Sequence, residues 1–503
     1  MERRQRQDPI PGQNPIKDDD QMNSDKAEHR CGVVGMISKS DVSPLLYASL
    51  RIMQHRGQNS AGIAVSSSAE TIKAVRGLGL AHEVFNGENL SSLSGNAGIG
   101  HVRYPTTGDD MIENVQPLVL SSAVGDVALG HNGDLVNSTE LREKLENEGW
   151  AFFSTTDTEL VIRLVVNELR DMDDPVKAIR NALRRIEGGY AFTLMIGNRI
   201  FGIRDPLGIR PLVLGKIPGG YAVASESVVF DMLEGELVRD VLPGEIIELG
   251  SEDYASYPSP PTGERANCMF EYVYFARPDS TMDGKSVFEV RVNIGRVLAR
   301  ERAVDADVII PVPDSGRTHA IGFSEASGIP MSEGLMKNRF IERTFIMSSQ
   351  NQRENSVSLK LNPLKSVING KRVVIVDDSM VRGTTLRRIV QMVRRAGATE
   401  VHVRIGCPMI VAPCYYGIDM KTRNQFIAVG KDEAEISREL TADSVGYLSI
   451  EGLISAIGAR SQELCLGCIT GEYPTKVPGE RMRFQRSLES FQEVPQASGG
   501  SGK

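Results

Sequence analysis

The sequence predicts two domains in one chain, an α+β sandwich followed by a parallel α/β domain. Three observations carry this. From Gly32 to about residue 250, short β-rich runs such as GYAFTLMIG (189–197) and RIFGIRD (199–205) are separated by Gly and Pro turns, with helical stretches between them. Further on, the strand-like runs DVIIPVP (307–313) and RVVIVDD (372–378) alternate with helical patterns, as a parallel sheet requires. A chain of 503 residues, 41% hydrophobic and 24% charged, also holds enough apolar material for two ordinary cores.

Along the chain, residues 1–30 carry Gln, Asn, Asp, Pro and mixed charges without periodicity, and read as disordered. The first domain, 31–260, opens at Cys31 with the apolar run CGVVGMIS. The stretch SEDYASYPSPPTGERAN (251–267) is rich in Ser and Pro and reads as the connection between domains. The second domain takes residues 261–474, and a tail over 475–503, ending QASGGSGK, again reads as disordered. No repeat of solenoid period is present.

Charge and composition exclude several classes. A formal charge of -8 leaves no basic field to hold nucleic acid. No apolar run reaches the roughly 18 residues of a membrane span, and the start MERRQRQDPIPGQNP lacks the apolar core of a secretory signal, so a cytoplasmic protein with no membrane partner is expected. Six cysteines without an export signal point to catalytic or metal-ligand roles rather than a disulfide framework.

Cys31 raises the first functional question. A thiol attacks as thiolate, and an adjacent free α-amine is a suitable base, which gives a reason for removable chain ahead of it. On position alone, a buried cysteine opening a strand fits equally well. Arg103 offers a bidentate fork for an α-carboxylate, and Asp157 a charge for an α-ammonium. Thr156-x-x-Glu159 is also a capping-box pattern ahead of ELVIRLVVNEL, where Asp157 adds negative charge to the first turn. Asn132 and the Gly133 N–H suit an oxyanion, and Asn-Gly equally suits a hairpin turn.

Four stretches, QHRGQNSAGI (54–63), GHVRYPTTG (100–108), GHNGDL (130–135) and TTDTEL (155–160), resemble in order and interval the motifs of class II glutamine amidotransferases. The resemblance spans the first domain and implies an N-terminal-nucleophile (Ntn) hydrolase sandwich. It further implies Cys31 as nucleophile, Asn132 and Gly133 as oxyanion hole, and Arg103, Tyr104, Thr106 and Asp157 as glutamine-binding residues. Residues 1–30 would then be a propeptide, although better-known relatives have shorter ones ending in acidic residues rather than His29-Arg30.

A second site lies in VVIVDDSMVRGTTLRRIVQMVRRAG (373–397): a buried strand, two carboxylates, a Gly-containing loop, then a helix ended by Gly397. Thr384 and Thr385 open that helix, where backbone N–H groups and hydroxyls suit a phosphate, and Asp377-Asp378 suit a sugar diol and Mg²⁺. The stretch resembles the thirteen-residue signature with which type I phosphoribosyltransferases bind phosphoribosyl pyrophosphate (PRPP). That implies PRPP contacts from Asp377, Asp378, Ser379, Arg382, Gly383, Thr384 and Thr385. In PVPDSG (311–316) the resemblance places Ser315 with Asp377 and Asp378 around Mg²⁺. The run 337–361, with five basic residues against two acidic ones, resembles the flexible loop that closes over pyrophosphate, bringing Lys337 and Arg343.

Of the other cysteines, only Cys465 and Cys468, in CLGC, have a local metal-ligand spacing. The two halves together resemble the amidophosphoribosyltransferase family, in its iron-sulfur-containing type with a propeptide, from Cys31 to about residue 470. This implies glutamine-dependent formation of 5-phosphoribosylamine from PRPP, the first step of de novo purine biosynthesis, with Mg²⁺ as cofactor. It also implies purine nucleotides as feedback inhibitors and a homo-oligomer, a tetramer. Cys268, Cys414, Cys465 and Cys468 match the ligands of a 4Fe-4S cluster in that branch; by ligand type alone a four-thiolate zinc site is the alternative. Cys407 falls outside the pattern, as a buried free thiol. A glutamine-fructose-6-phosphate transamidase would lack the PRPP signature, and a nonenzymatic PRPP-sensing regulator would not need the glutaminase set.

Overall fold

A computed structural model describes residues 31–66, 71–104, 111–259, 265–338, 361–420 and 423–478. The first part of the chain forms two antiparallel sheets. One has seven strands in the spatial order Glu236–Asp240, Val213–Ile217, Gly220–Ala224, Gly32–Ser38, Ala97–Arg103, Ser60–Ser66 and Lys73–Leu78. The other has six: Tyr254–Tyr257, Ile246–Leu249, Arg199–Arg204, Gly188–Ile196, Gly125–Leu135 and Leu118–Ser122.

The sheets face each other across a core that holds Val33, Ile99 and Val223 from the first and Ala128, Met195 and Ile200 from the second. Helices cover both outer faces. Leu46 and Leu50 of helix Ser43–Ile52 pack with Val34 and Met36, while Leu160 and Leu164 of helix Asp157–Asp171 pack with Leu129 and Phe192. Adjacent residues of one strand point to opposite faces, and here both faces are covered. That is why CGVVGMIS reads as a continuous apolar run instead of alternating.

The later part is a four-stranded parallel sheet, ordered Val308–Pro311, Arg372–Asp377, Glu400–Ile405 and Ser444–Tyr447. Val373 to Val376 are wholly buried, as expected for a strand flanked by helices on an all-parallel sheet. The carboxyl ends of Val308–Pro311 and Arg372–Asp377 emerge at the same edge, with Pro311 opposite Val376. Open α/β sheets bind ligands at that edge.

Two stretches differ from the sequence expectation. The segment expected to connect the domains already contributes Tyr254–Tyr257 as an edge strand on Ile246–Leu249, with Tyr254 packing on the core between the sheets and Tyr257 on the core of the opposite face. At the other end, Thr475 begins the expected tail yet is tied down, its Oγ1 lying 2.8 Å from the Tyr416 hydroxyl. A short parallel ladder, Asn267–Cys268 with Leu464–Cys465, joins the start of the later part to its end.

Candidate active sites

Cys31 directly precedes the strand Gly32–Ser38 and is buried, its Sγ 3.9 Å from the Tyr104 carbonyl. Burial pushes its thiol above the ordinary value; the Tyr104 contact and the charges of Arg103 and Arg210 pull the other way without cancelling it. The sulfur is therefore a neutral thiol near pH 7 and needs a base. Arg103 closes the strand Ala97–Arg103 and is buried; Thr106 lies outside the described residues.

Asp157 is the first residue of its helix. Its Oδ2 accepts from the Leu135 N–H at 3.0 Å and its Oδ1 lies 3.3 Å from His131 Nδ1. Burial pushes this carboxyl up, but His131 and the Leu135 N–H outweigh it, so the carboxylate is held below its usual range. The expected capping box does not form: Thr156 makes no cap bond. Glu159 instead accepts from the N–H groups of Phe153 and Ser154 and from Ser154 Oγ, and pairs with Arg163. A buried carboxylate takes several donors in preference to one.

Asn132 and Gly133 sit inside the strand Gly125–Leu135, opposite Ala191 and Tyr190, so the Asn-Gly pair is not a hairpin turn. Gly133 has φ +144°, and a Cβ there would stand 2.0 Å from the Gly189 carbonyl oxygen, so only glycine fits. Asn132 Oδ1 accepts from Arg210 Nη2 at 2.9 Å. Its Nδ2 lies 3.5 Å from Ser225 Oγ, which accepts from the Val33 N–H two residues after Cys31. Ser225 thus ties the two facing sheets together beside the thiol. Arg103, Arg210 and Asp157 are the charged groups whose fields reach the Cys31 thiol.

At the second site Asp377, Asp378 and Ser379 are buried at the end of the strand Arg372–Asp377. Asp377 Oδ1 accepts from the Asp378 N–H at 2.9 Å, and Asp378 Oδ1 from Ser379 Oγ at 2.6 Å. Arg382 Nη2 donates to Gln425 Oε1 at 3.2 Å. Gly383 is left-handed at φ +77°, and the helix Thr384–Arg395 that it precedes receives no side-chain cap, which suits a phosphate at its first turn. Thr384 is exposed and Thr385 half-buried. The loop holding Ser315 turns over the neighbouring strand end, with a Cβ at Gly316 falling 2.5 Å from the Val376 oxygen. Lys337 reaches the same loop through Asp314, at 2.9 Å. Arg343 lies outside the described residues.

A third site had only partial sequence signal. Cys268, Cys414, Cys465 and Cys468 line one cavity, with Arg210 and Tyr416 in its wall. Cys268 stands opposite Cys465 in the parallel ladder. Burial pushes the Cys268 thiol up to about 12, and those of Cys465 and Cys468 well above the ordinary value. Among the described residues no three Cys, His, Asp or Glu side chains converge closely enough to hold a single metal ion. Cys407 is buried and does not border the cavity.

Residues 101–232 match the glutamine amidotransferase domain family and residues 293–412 the phosphoribosyl transferase domain family. The amidophosphoribosyltransferase of Methanocaldococcus jannaschii is 50% identical over 469 residues, covering 90% of this chain and 99% of its own. That of Bacillus subtilis is 45% identical, over 89% of this chain and 94% of its own. The chain belongs to the amidophosphoribosyltransferase family. A solved structure of glutamine PRPP amidotransferase from B. subtilis, complexed with ADP and GMP, superposes with a TM-score of 0.84 at 45% identity, over 89% of this chain and 98% of that one.

Beyond the motifs, this amidophosphoribosyltransferase fold contains a buried ion cluster that sequence reasoning missed. Arg56, wholly buried, pairs with Glu226 and, through Nη2 at 2.6 Å, with Glu271. His55 Nε2 lies 2.6 Å from Glu226, whose other oxygen accepts from the Arg277 N–H and Ser280 Oγ. Arg210 lies 3.3 Å from Glu271. Arg56 belongs to a quoted motif, but Arg210, Glu226 and Glu271 carry no local pattern; only the folded chain gathers them.

Proposed function

We propose that Cys31 and the Asp377-Asp378 loop divide between them the activity of the family. The enzyme is an amidophosphoribosyltransferase: it forms 5-phosphoribosylamine from glutamine and PRPP, the first step of purine biosynthesis. In the proposed division, the α-amine freed by removal of residues 1–30 takes the Cys31 thiol proton, and Sγ attacks the glutamine carboxamide carbon. Asn132 Nδ2 and the Gly133 N–H hold the oxyanion. Arg103 grips the α-carboxylate and Asp157 the α-ammonium, with Tyr104 and Thr106 beside the side chain. Collapse of the tetrahedral species passes the proton to the departing ammonia and leaves a thioester that water opens to glutamate. Ammonia then displaces pyrophosphate at C1 of the ribose. Water exclusion matters here, because ammonia released at neutral pH is mostly protonated and no longer nucleophilic.

The observation that carries this assignment is the neutral, buried Cys31 thiol with Arg103, Asp157 and Arg210 as its charged neighbours. At the second site we assign Asp377, Asp378 and Ser315 as the residues that would hold a Mg²⁺, whose charge would offset that of the pyrophosphate. Mg²⁺ usually takes only one or two protein carboxylates besides water and substrate phosphates, so no dedicated protein cage is needed. Ser379, Arg382, Gly383, Thr384 and Thr385 cradle the 5-phosphate and ribose, and Lys337 and Arg343 the pyrophosphate. The cysteine cavity suits a structural 4Fe-4S cluster held by Cys268, Cys414, Cys465 and Cys468. By ligand type alone a four-thiolate zinc site is the alternative. Six free thiols favour a reducing compartment, the cytoplasm; no helix among the described residues is long and apolar enough to cross a membrane. Likeness to the B. subtilis complex supports purine nucleotides as feedback ligands.

The test is reciprocal. Cys31→Ala abolishes glutamine-dependent pyrophosphate release from PRPP but keeps release with added ammonium at high pH. Asp377→Asn cripples both while glutaminase activity persists. Loss of both activities in folded Cys31→Ala protein contradicts the division.

A further inference from the structure

We propose that Arg210 is a positioning residue of the glutaminase site, fixing which way the Asn132 amide faces while Glu271 of the phosphoribosyltransferase part holds Arg210 in place. The inference rests on the assignment of Asn132 as an oxyanion donor and adds the group that orients it.

Arg210 is wholly buried. Its backbone N–H donates to Asp205 Oδ2 at 3.0 Å, fixing the turn that carries it. Its Nη2 reaches Asn132 Oδ1 at 2.9 Å and lies 3.3 Å from Glu271 Oε1. A guanidinium only donates, so the amide must present its oxygen to Arg210 and its nitrogen away from it. Of the two Nδ2 hydrogens, one faces Ser225 Oγ across a long 3.5 Å contact, and the other remains for an oxyanion. Turning the amide over would set N–H groups against N–H groups between two buried side chains, leaving donors unsatisfied.

Glu271 explains why the guanidinium stays. Its carboxylate receives Arg56 Nη2 at 2.6 Å as well as Arg210, so it is itself held from the short helical turn Gln54–Arg56 of the first part. Arg210 also borders the four-cysteine cavity, and its Nε and Nη1 have no hydrogen-bond partner among the described residues. The two parts of the chain also touch at the oxyanion strand: a Cβ on Gly417, three residues beyond Cys414, would stand 2.8 Å from the Gly133 carbonyl carbon. The electrostatic influence of Arg210 on both Cys31 and Cys268 accords with this central place.

The test uses the aldehyde analogue of glutamine, whose adduct with Cys31 carries the oxyanion, with binding measured by calorimetry on the mature full-length enzyme. Arg210→Gln can accept as well as donate, so it releases the amide. Aldehyde affinity and glutamine-dependent kcat should fall together by about 100-fold, the scale of losing one oxyanion donor, while glutamine KM moves less than about three-fold. Arg210→Lys, still a pure donor, should restore most of the affinity. In an Asn132→Ala background, Arg210→Gln should cost nothing further. Glu271→Gln, which leaves the glutaminase side chains untouched, should give a smaller loss of the same kind and serves if Arg210→Gln does not fold. Independent, additive losses from Arg210→Gln and Asn132→Ala, or a rise in glutamine KM equal to the loss of aldehyde affinity, would overturn the proposal. Failure of the wild-type enzyme to form any Cys31 adduct would instead overturn the assignment beneath it.

Discussion

At Cys31 burial and chemistry pull in opposite directions: packing excludes the water that ammonia must not meet, yet it pushes the thiol above its ordinary value of 9.0. The group with a raised value is protonated below it, so thiolate is scarce at neutral pH and, in the proposed division, attack by Cys31 depends on a separate base. An α-amine titrates near pH 8, an ordinary value of about 7.7–8.0. With Cys31 as the first residue, glutaminase activity should therefore rise with pH through that range and level off above it. Protein retaining residues 1–30, whose Cys31 nitrogen is an amide, should be at least about 100-fold slower at pH 7.5 and gain activity only above pH 9.0, the ordinary thiol value. Intact mass and pH–rate profiles of the two forms check this. Equal profiles would remove the amine from the mechanism.

Among the elements, the strand-loop-helix unit around Asp377 depends on one backbone conformation. Gly383 is left-handed, and a Cβ there would meet Ile427 Cδ1 at 2.4 Å. Gly383→Ala should cost about 1–3 kcal/mol of local strain, raise KM for PRPP with either nitrogen donor, and leave basal glutaminase activity near wild type. Unchanged PRPP kinetics would separate this loop from the phosphate. The ladder of Asn267–Cys268 on Leu464–Cys465 is a different case, because two residues on each side make a weak pairing. A group bridging Cys268 and Cys465 would make that pairing permanent and bind the two ends of the domain. Cys468→Ser should thus lower thermal stability and remove iron and acid-labile sulfide from anaerobically purified protein, whereas Cys407→Ser should leave the metal content unchanged. Stoichiometric zinc without iron in active wild-type enzyme would decide for the other metal.

For the molecule as a whole, the buried cluster of Arg56, Glu226, Arg210 and Glu271 sets two cations against two anions between the parts of the chain. Burial alone pushes the Glu226 carboxyl up, but Arg56, His55 and the Arg277 N–H outweigh it and hold it well below its ordinary value. Since the folded value lies below the unfolded one, Glu226 contributes stability that is fully present above about pH 4.3 and is lost as pH falls through the folded value. Glu226→Gln leaves Arg56 under-compensated and should cost about 3–5 kcal/mol at pH 7, with the deficit against wild type shrinking as pH drops below about 4. Urea titrations at both pH values give the comparison. A deficit that stays constant with pH would mean that packing, not charge, carries the effect.

The sequence by itself determined the two architectures, because strand and helix periods, Gly and Pro turns and the strand-acid-acid-loop-helix unit are all local patterns. It also supplied Cys31, Arg103, Asp157 and Asp377 as candidates, since those residues lie in contiguous stretches with a recognisable order. Local pattern misled where two structures share one signature: Asn132-Gly133 suits a hairpin turn as well as a mid-strand glycine, and only pairing with Tyr190 and Ala191 chose the strand. Glu159 likewise had the spacing of a capping box, but its carboxylate is buried and turns to the donors of Phe153 and Ser154. Tertiary structure alone decided what surrounds Asn132. Arg210 and Glu271 are separated from it by 78 and 139 residues in the chain, and nothing in their own neighbourhoods marks them. They meet because burying two charged pairs is tolerable only where the pairs complete one another, a condition that exists once the two parts have packed and not before.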